Sequence, residues 1–344
     1  MRRIVLVGAG HAHLKALSLY RKAALYGARV TLVSPVSRML YSAMLPGVIA
    51  GHYRRAEAEI DIAALCEAAY AEYVAGEVSG IDLDQRRVRL ADRSELPYDY
   101  LSLNVGSTVN RSLPGAEHAL PVKPFESFID RLGEAKRIAI AGAGAAGVEI
   151  GMALRWRGAA VTVYSASSSM PAPLAKRAVR AMRRLGVDFR PGMAADGIEQ
   201  GPLVHAGSSR QEFDQVLLAT GARALPWVRE TGLQCDREGY VAVGPTLQSV
   251  SHPEVFAVGD CAAIDGVPKS GVYAVRQGET LARTFANLLR AEPPAEFDTG
   301  PRALLLMSCG ARRAIAHWGG WSAEGGWAWR WKDAIDRRWL RALN

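Results

Sequence analysis

The apolar positions of the chain fall into two long patterns that repeat one another element for element. The first opens as the unbroken apolar run Ile4-Val5-Leu6-Val7 and enters a glycine-rich turn, Gly8-Ala9-Gly10-His11-Ala12-His13. A helical stretch to about Gly27 follows, then Arg29-Val30-Thr31-Leu32-Val33-Ser34. The second runs Arg137-Ile138-Ala139-Ile140-Ala141, Gly142-Ala143-Gly144-Ala145-Ala146-Gly147, a helix ending near Gly158, then Ala160-Val161-Thr162-Val163-Tyr164-Ser165. Apolar runs without polar alternation are what parallel strands need when helices cover both faces of their sheet. Each pattern therefore predicts a strand, turn, helix, strand unit, and each closes on a further apolar strand that stops at a glycine, Gly106 and Gly221 respectively. After the second comes one more apolar strand, Val255-Phe256-Ala257-Val258, followed by Gly259-Asp260 and a helix from about Ser270 to about Arg290. In the tail, four-residue steps from Trp331 to Ile335 and Trp339 form an apolar stripe, with Arg330, Asp333, Arg337 and Arg341 opposite, which predicts an amphipathic helix.

Composition narrows the class. At 344 residues, 49% of them apolar and 22% charged, the chain suits two globular domains with an appendage. No window is apolar for long enough to cross a bilayer. The start, Met1-Arg2-Arg3 before Ile4, resembles the opening of a signal peptide, but its apolar run breaks into a glycine turn too early and reads as a first strand. The net charge of +8 comes from scattered arginines apart from a C-terminal cluster, so no basic stripe for nucleic acid exists. Cys66, Cys235, Cys261 and Cys309 lie far apart, without a pair of redox or zinc-site spacing. A cytoplasmic location is expected, with the Trp- and Arg-rich tail either packed on its own domain, sealing a homodimer or lying peripherally on an anionic membrane.

Chemistry enters with the turns. A pyrophosphate needs backbone N–H donors and the positive end of a helix, and a glycine turn that opens a helix supplies both. Gly142, Gly144 and Gly147 complete the Gly-x-Gly-x-x-Gly pattern, the third glycine allowing close helix-strand packing. In the first unit Gly8 and Gly10 stand in place but His13 replaces the third glycine, so helix and strand are expected to sit farther apart there. The acidic residue that usually ends the next strand and binds ribose is Ser34, before Pro35, in one unit and Ser165 in the other. A serine there either bonds a ribose hydroxyl or is an ordinary turn residue, and losing the carboxylate removes a barrier to a 2′-phosphate. His11 and His13, two apart, diverge on a helix and cannot share a metal, and no metal is expected.

The paired units followed by Gly259-Asp260 resemble the pyridine nucleotide-disulfide oxidoreductase superfamily of two-dinucleotide flavoproteins, over nearly the whole chain. The stretches 39–53, 269–278 and 329–338 resemble, within it, a type II NADH dehydrogenase-like group often fused to or encoded beside selenophosphate synthetase, here as a stand-alone member. The resemblance implies two Rossmann-like domains: an FAD domain of residues 1–107 and 233–296, an inserted NAD(P)H domain of 108–232, and an α+β tail of 297–344. It implies FAD over Gly8, Gly10, His11, Ala12, His13, Ser34, Pro35, Gly106, Gly259 and Asp260, with Tyr41 and Pro46 lining the flavin cavity unless they merely pack. NADH or NADPH would lie on Gly142, Gly144, Gly147, Ser165 and Gly221. The amides of Gly271 and Val272 would face the flavin C2 carbonyl, with Lys269 adding charge unless it is a surface lysine. Glu149 either orients the nicotinamide carboxamide or is a plain helix-surface carboxylate. The close cysteine pair of the disulfide reductases is missing, so electrons would pass from flavin directly to a small acceptor such as a quinone, oxygen or a metal complex. Val272 and Arg276 replace the two glutamines of the type II enzymes, and Arg276 either favours an anionic oxidant or is a solvated helix residue. A sulfide:quinone oxidoreductase, which needs paired cysteines, and a flavin-based redox sensor docking through its tail are the alternatives.

Overall fold

The computed structural model describes residues 1–167 and 170–344. β1 (Arg2–Val7) turns at the first glycines into α1 (His11–Tyr20), and β2 (Ala28–Ser34), β3 (Glu72–Ala75) and β4 (Tyr100–Leu103) follow. The chain then lays down β5 (Leu120–Pro121), β6 (Arg137–Ala141), α2 (Ala145–Trp156), β7 (Ala160–Ser165), α3 (Ala172–Leu185), β8 (Asp188–Pro191) and β9 (Gln215–Leu218). It continues through β10 (Val255–Ala257) and α4 (Gly271–Leu289), and then β11 (Leu305–Ser308), β12 (Ala314–Trp318), β13 (Trp321–Gly325) and α5 (Gly326–Leu343).

Two five-stranded sheets result, in the orders β10-β4-β1-β2-β3 and β5-β9-β6-β7-β8. All their pairings are parallel, with Leu6 beside Leu32 and Ser102, and Ile140 beside Val163 and Leu217. Leu6, Leu32, Ile140, Val163 and Leu217 are fully buried, which is why the strands could be read as unbroken apolar runs. The chain is an α/β protein with two sheets of the same winding, and β10 returns to the first after the second is complete. In each sheet the chain moves from the central strand, β1 or β6, to one side and later comes back to the other. The reversal falls between β1 and β4 and between β6 and β9, and such switch points open a crevice at the carboxyl ends of the strands.

Glycines let the layers close around these crevices. A Cβ on Gly147 would lie 2.1 Å from the Gly142 carbonyl oxygen, the close helix-strand packing expected of a third glycine. A Cβ on Gly278 would lie 2.3 Å from the Ala12 carbonyl oxygen, so α4 presses on α1 where it has no side chain.

The tail is an antiparallel sheet, β11-β12-β13, with α5 against it. Here the expected stripe is displaced. Trp331 and Ile335 are 43% and 42% exposed, while the inner face of α5 is Ala328, Lys332, Asp336, Leu340 and Leu343. The inner face carries an ion pair, Lys332 Nζ to Asp336 Oδ2 at 2.6 Å, which polarity alone assigns to solvent. Asp333 and Arg337, expected on the outer face, pair with each other and receive the Tyr53 hydroxyl, which donates to Asp333 Oδ1 at 2.7 Å. Trp339 does turn inward, to within 6.5 Å of the His11 ring and 6.4 Å of Tyr41. Among the described residues no helix is long and apolar enough to cross a membrane.

Candidate functional site

The first switch point is organised by a side chain that sequence reasoning passed over. Asn104 follows β4 and is 3% exposed. Its Oδ1 accepts from the amides of Ala12 (3.1 Å) and His13 (3.3 Å) at the start of α1, and its Nδ2 donates to the Val258 carbonyl at 2.8 Å. Gly8, Gly10 and Gly259 all crowd this residue: a Cβ on each would lie 2.6, 2.2 and 2.3 Å from an Asn104 atom. These three glycines therefore serve first to let three segments converge on one amide. A polar residue at the end of an apolar strand, two before Gly106, was the available signal.

His13 takes up the room left by the absent third glycine. Its Nδ1 lies 2.6 Å from the Gly8 carbonyl and its Nε2 2.8 Å from Ser102 Oγ, and the residue is fully buried. Burial pushes its pKa down to about 4, so the ring is neutral and braces the turn from behind. The side chains of Ala12 and His13 are both fully buried. His11 faces the other way. It lies beside the start of α4, where a Cβ on Gly271 would be 3.8 Å from its ring, and 5.5 Å from the Tyr41 ring.

Asp260 sits in the short turn after β10. Its Oδ2 accepts from Lys123 Nζ at 3.0 Å and from Ser107 Oγ at 3.1 Å. Burial alone would raise its pKa, but the Lys123 ammonium and the Ser107 hydroxyl outweigh that and hold the carboxyl below its ordinary value. Lys269, the cation expected here, is otherwise engaged: its Nζ donates to the Ala262 carbonyl at 2.7 Å and lies 3.5 Å from the centre of the Tyr240 ring. At the start of α4, Gly271 and Val272 lead the helix with Ser270 as its N-cap. Ser270 Oγ and Trp339 Nε1 are buried and, among the described residues, have no hydrogen-bond partner. Gly106, at φ +73°, lets the chain leave the groove, and Pro35 is exposed at the end of the Ser34 turn. Cys261 is buried with its thiol against the carbonyls of Leu103 and Val258, and burial pushes it up to about 11. Arg276 does not face this groove: its guanidinium clamps the carbonyls of Thr299 and Pro301, which corrects its expected role toward an anionic oxidant.

The second switch point is a cavity of about 320 Å³ lined by the Gly142 and Gly144 turn, Ser165, Thr220 and Gly221. Gly142, at φ +115°, brings its backbone so near β9 that a Cβ would lie 2.2 Å from the Ala219 carbonyl oxygen. Ser34 and Ser165 have the same local fate. Each is buried, and each hydroxyl donates to the carbonyl two residues on, Val36 at 3.1 Å and Ser167 at 2.9 Å. As turn-closing donors they leave only lone pairs for a ribose.

Between the two sheets lies a buried polar cluster shared with the tail. Glu149, on the first turns of α2, accepts from the Ser308 amide of β11 at 2.6 Å. Burial raises its pKa to about 7 against the opposing pull of Lys332. The Lys332 ammonium also donates to the Ala43 carbonyl at 2.6 Å, and the Tyr41 hydroxyl donates to Asp336 at 3.4 Å. Pro46 is buried in the short helix Leu45–Ile49 just behind. Tyr41 is therefore tied to α5 and Glu149 to β11, links invisible in sequence across separations of 295 and 159 residues. Among the described residues, no group of three or more His, Cys, Asp or Glu side chains is placed to hold a metal.

Known proteins share this arrangement. The chain is 33% identical over 224 residues to the nitric oxide reductase FlRd-NAD(+) reductase of Aeromonas hydrophila, covering 60% of this chain and 57% of that protein. It spans little more than half the length of the curated relatives it matches. The sulfide:quinone oxidoreductase of Aquifex aeolicus superposes with a TM-score of 0.81 at 16% identity, over 100% of this chain and 91% of that one. NDH2 of Plasmodium falciparum, solved with NADH, superposes with a TM-score of 0.81 at 12% identity, over 99% and 98%. At such identities these two speak for the fold alone. Residues 2–278, which contain both switch points and Asp260, match a single family, and the chain belongs to the pyridine nucleotide-disulphide oxidoreductases.

Proposed function

We propose that the protein is an FAD-dependent NAD(P)H oxidoreductase, with FAD on the first switch point and NADH or NADPH on the second. The observation that carries this reading is the duplication itself: two glycine-cradled crevices of the same winding in one molecule, one of them completed by the buried carboxylate of Asp260. The unpartnered Ser270 Oγ and Trp339 Nε1 support a ligand between α4 and α5. On this reading residues 1–107 and 233–296 form the FAD domain, 108–232 the NAD(P)H domain and 297–344 the cover.

When bound, FAD supplies two-electron acceptance from a dihydronicotinamide, a transfer that depends on alignment more than on an acid or base. The chain's own residues supply that alignment. The α4 N-terminus presents the Gly271 and Val272 amides and the positive end of the helix dipole to developing negative charge. Asp260 would receive hydroxyl groups of a bound ribityl chain, and Glu149, its pKa raised to about 7 by burial, would donate to or accept from a carboxamide.

The four free cysteines, Cys235 half-buried and the other three buried, support direct transfer from the flavin to a second substrate. That acceptor is a small oxidant such as a quinone, and the Aeromonas relative's name favours testing a protein acceptor as well. Stretches 39–53 and 269–278 support placement in the type II NADH dehydrogenase-like branch linked to selenophosphate synthetase. The outward row Trp321, Trp327 and Trp331, with successive ring centres 6.2 and 6.3 Å apart, supports contact with an anionic membrane surface or a second copy. Stopped-flow mixing of the yellow protein with NADH and with NADPH, followed by a panel of quinones, ferricyanide and electron-carrier proteins, tests the assignment. A preparation that binds FAD but is bleached by neither nucleotide within minutes would sink it.

A further inference from the structure

We propose that Lys123 is the cation that sets the charge of the flavin groove, a positioning and tuning residue reaching in from the second sheet. It lies two residues beyond β5, whereas its partner Asp260 follows β10 of the first sheet, so the contact spans the junction of the two sheets. The ammonium donates to Asp260 Oδ2 at 3.0 Å and to Ser107 Oγ at 2.9 Å, and Ser107 donates to the same carboxylate oxygen at 3.1 Å. Two of the three N–H bonds of the lysine are used in this triangle, and the ammonium also lies 5.9 Å from the centre of the Phe125 ring. Lys123 and Asp260 side chains are each 24% exposed, so the pair is desolvated enough to act at short range and open enough for a ligand to reach.

The alternative cation, Lys269, acts on Asp260 only through space, without a hydrogen bond to it. Lys269 is folded onto the Tyr240 ring and the Ala262 carbonyl. Lys123 therefore supplies the positive charge held directly on Asp260. It keeps that carboxylate from opposing the negative charge a bound flavin gains on reduction. Removing the ammonium leaves Asp260 as a lone anion, and the sign of the effect follows: the oxidised flavin is favoured and the midpoint potential falls. The inference rests on the proposed FAD site, and that premise is checked separately, because a wild-type protein that takes up no FAD fails before any variant is made.

The test uses the purified holoprotein and the variants Lys123→Met, Lys123→Gln, Lys123→Arg and Lys269→Met. FAD content is read after denaturation, and the reduction equilibrium is read against a reference dye. Lys123→Gln keeps hydrogen bonds to Ser107 and Asp260 while losing the charge. It is expected to shift the equilibrium toward oxidised flavin at least tenfold, about 30 mV for a two-electron couple, as is Lys123→Met. Lys123→Arg should restore the wild-type potential, and Lys269→Met should shift it less than Lys123→Gln does. Loss of FAD from both neutral variants, with retention by Lys123→Arg, also supports a required charge. The proposal is overturned if Lys123→Gln holds FAD with an equilibrium within twofold of wild type. It is overturned equally if Lys123→Arg loses FAD along with the neutral variants, or if Lys269→Met shifts the potential as far as Lys123→Gln.

Discussion

Asn104 spends three hydrogen-bonding positions inside the first switch point, on two amides of α1 and on the Val258 carbonyl. Asn104→Ala strands all three in a buried place. A buried group left without its partner costs about 1–3 kcal/mol, so a loss of roughly 2–4 kcal/mol is expected in denaturant unfolding, with weakened FAD retention at temperatures where the fold survives. A loss below 1 kcal/mol would show that water replaces the side chain and that Asn104 does not organise the turn. Glu149 offers a second residue-scale test. Its pKa is raised from 4.5 to about 7 in the fold, so the native state keeps a proton that the unfolded chain has released. Stability from this group is fully present below about pH 4.5 and is lost as pH rises through 7. Glu149→Gln, which cannot ionise, is expected to gain on wild type above pH 7, by on the order of 2–3 kcal/mol at most, and to show little difference below about pH 4. Equal pH profiles in thermal melts would remove the argument.

At the scale of elements, what could be read from sequence depended on whether packing is apolar. The two strand-turn-helix-strand units, their exits and the strand before Asp260 were legible because parallel strands buried on both faces admit only apolar residues. Gly142 and Gly147 of the second turn were legible because close backbone approach leaves no room for a Cβ at either position. The inner face of α5 was not, because a helix that buries Lys332 against Asp336 and Ala43 presents the wrong polarity to a periodicity argument. Lys123 was hidden for another reason: nothing along the chain links a lysine at the second sheet to Asp260, more than a hundred residues later. Gly278 shows a packing constraint that no pattern predicts. Gly278→Val would force atoms against the Ala12 backbone and the Lys15 side chain, where even a Cβ comes within 2.3 and 2.8 Å. Overpacking of this kind costs about 1–3 kcal/mol, and because α1 opens at the FAD turn, FAD affinity should fall with it. If stability falls while the FAD dissociation constant stays unchanged, α4 supports the fold but does not set the position of α1.

For the molecule as a whole, the surface of the tail remains unaccounted for by its own packing. Trp318, Trp321, Trp327 and Trp331 stay between 42% and 56% exposed, beside Ile335 on the outer face of α5. An apolar row of this size on a soluble surface marks a contact with something else, and the neighbouring Arg330, Arg338 and Arg341 make an anionic surface the complementary one. Replacing Trp327 and Trp331 together by Ser changes only exposed side chains, so stability should move by no more than about 0.5 kcal/mol per site. Flavin reduction by NAD(P)H, proposed to take place at the switch points, should keep its rate. What should change is co-sedimentation with vesicles containing phosphatidylglycerol: retained by the wild type at low salt, released as salt screens the arginines, and lost in the double variant. If the wild type ignores such vesicles but sediments as a dimer that the double variant splits, the row is a subunit interface and the electron acceptor must reach the flavin from water.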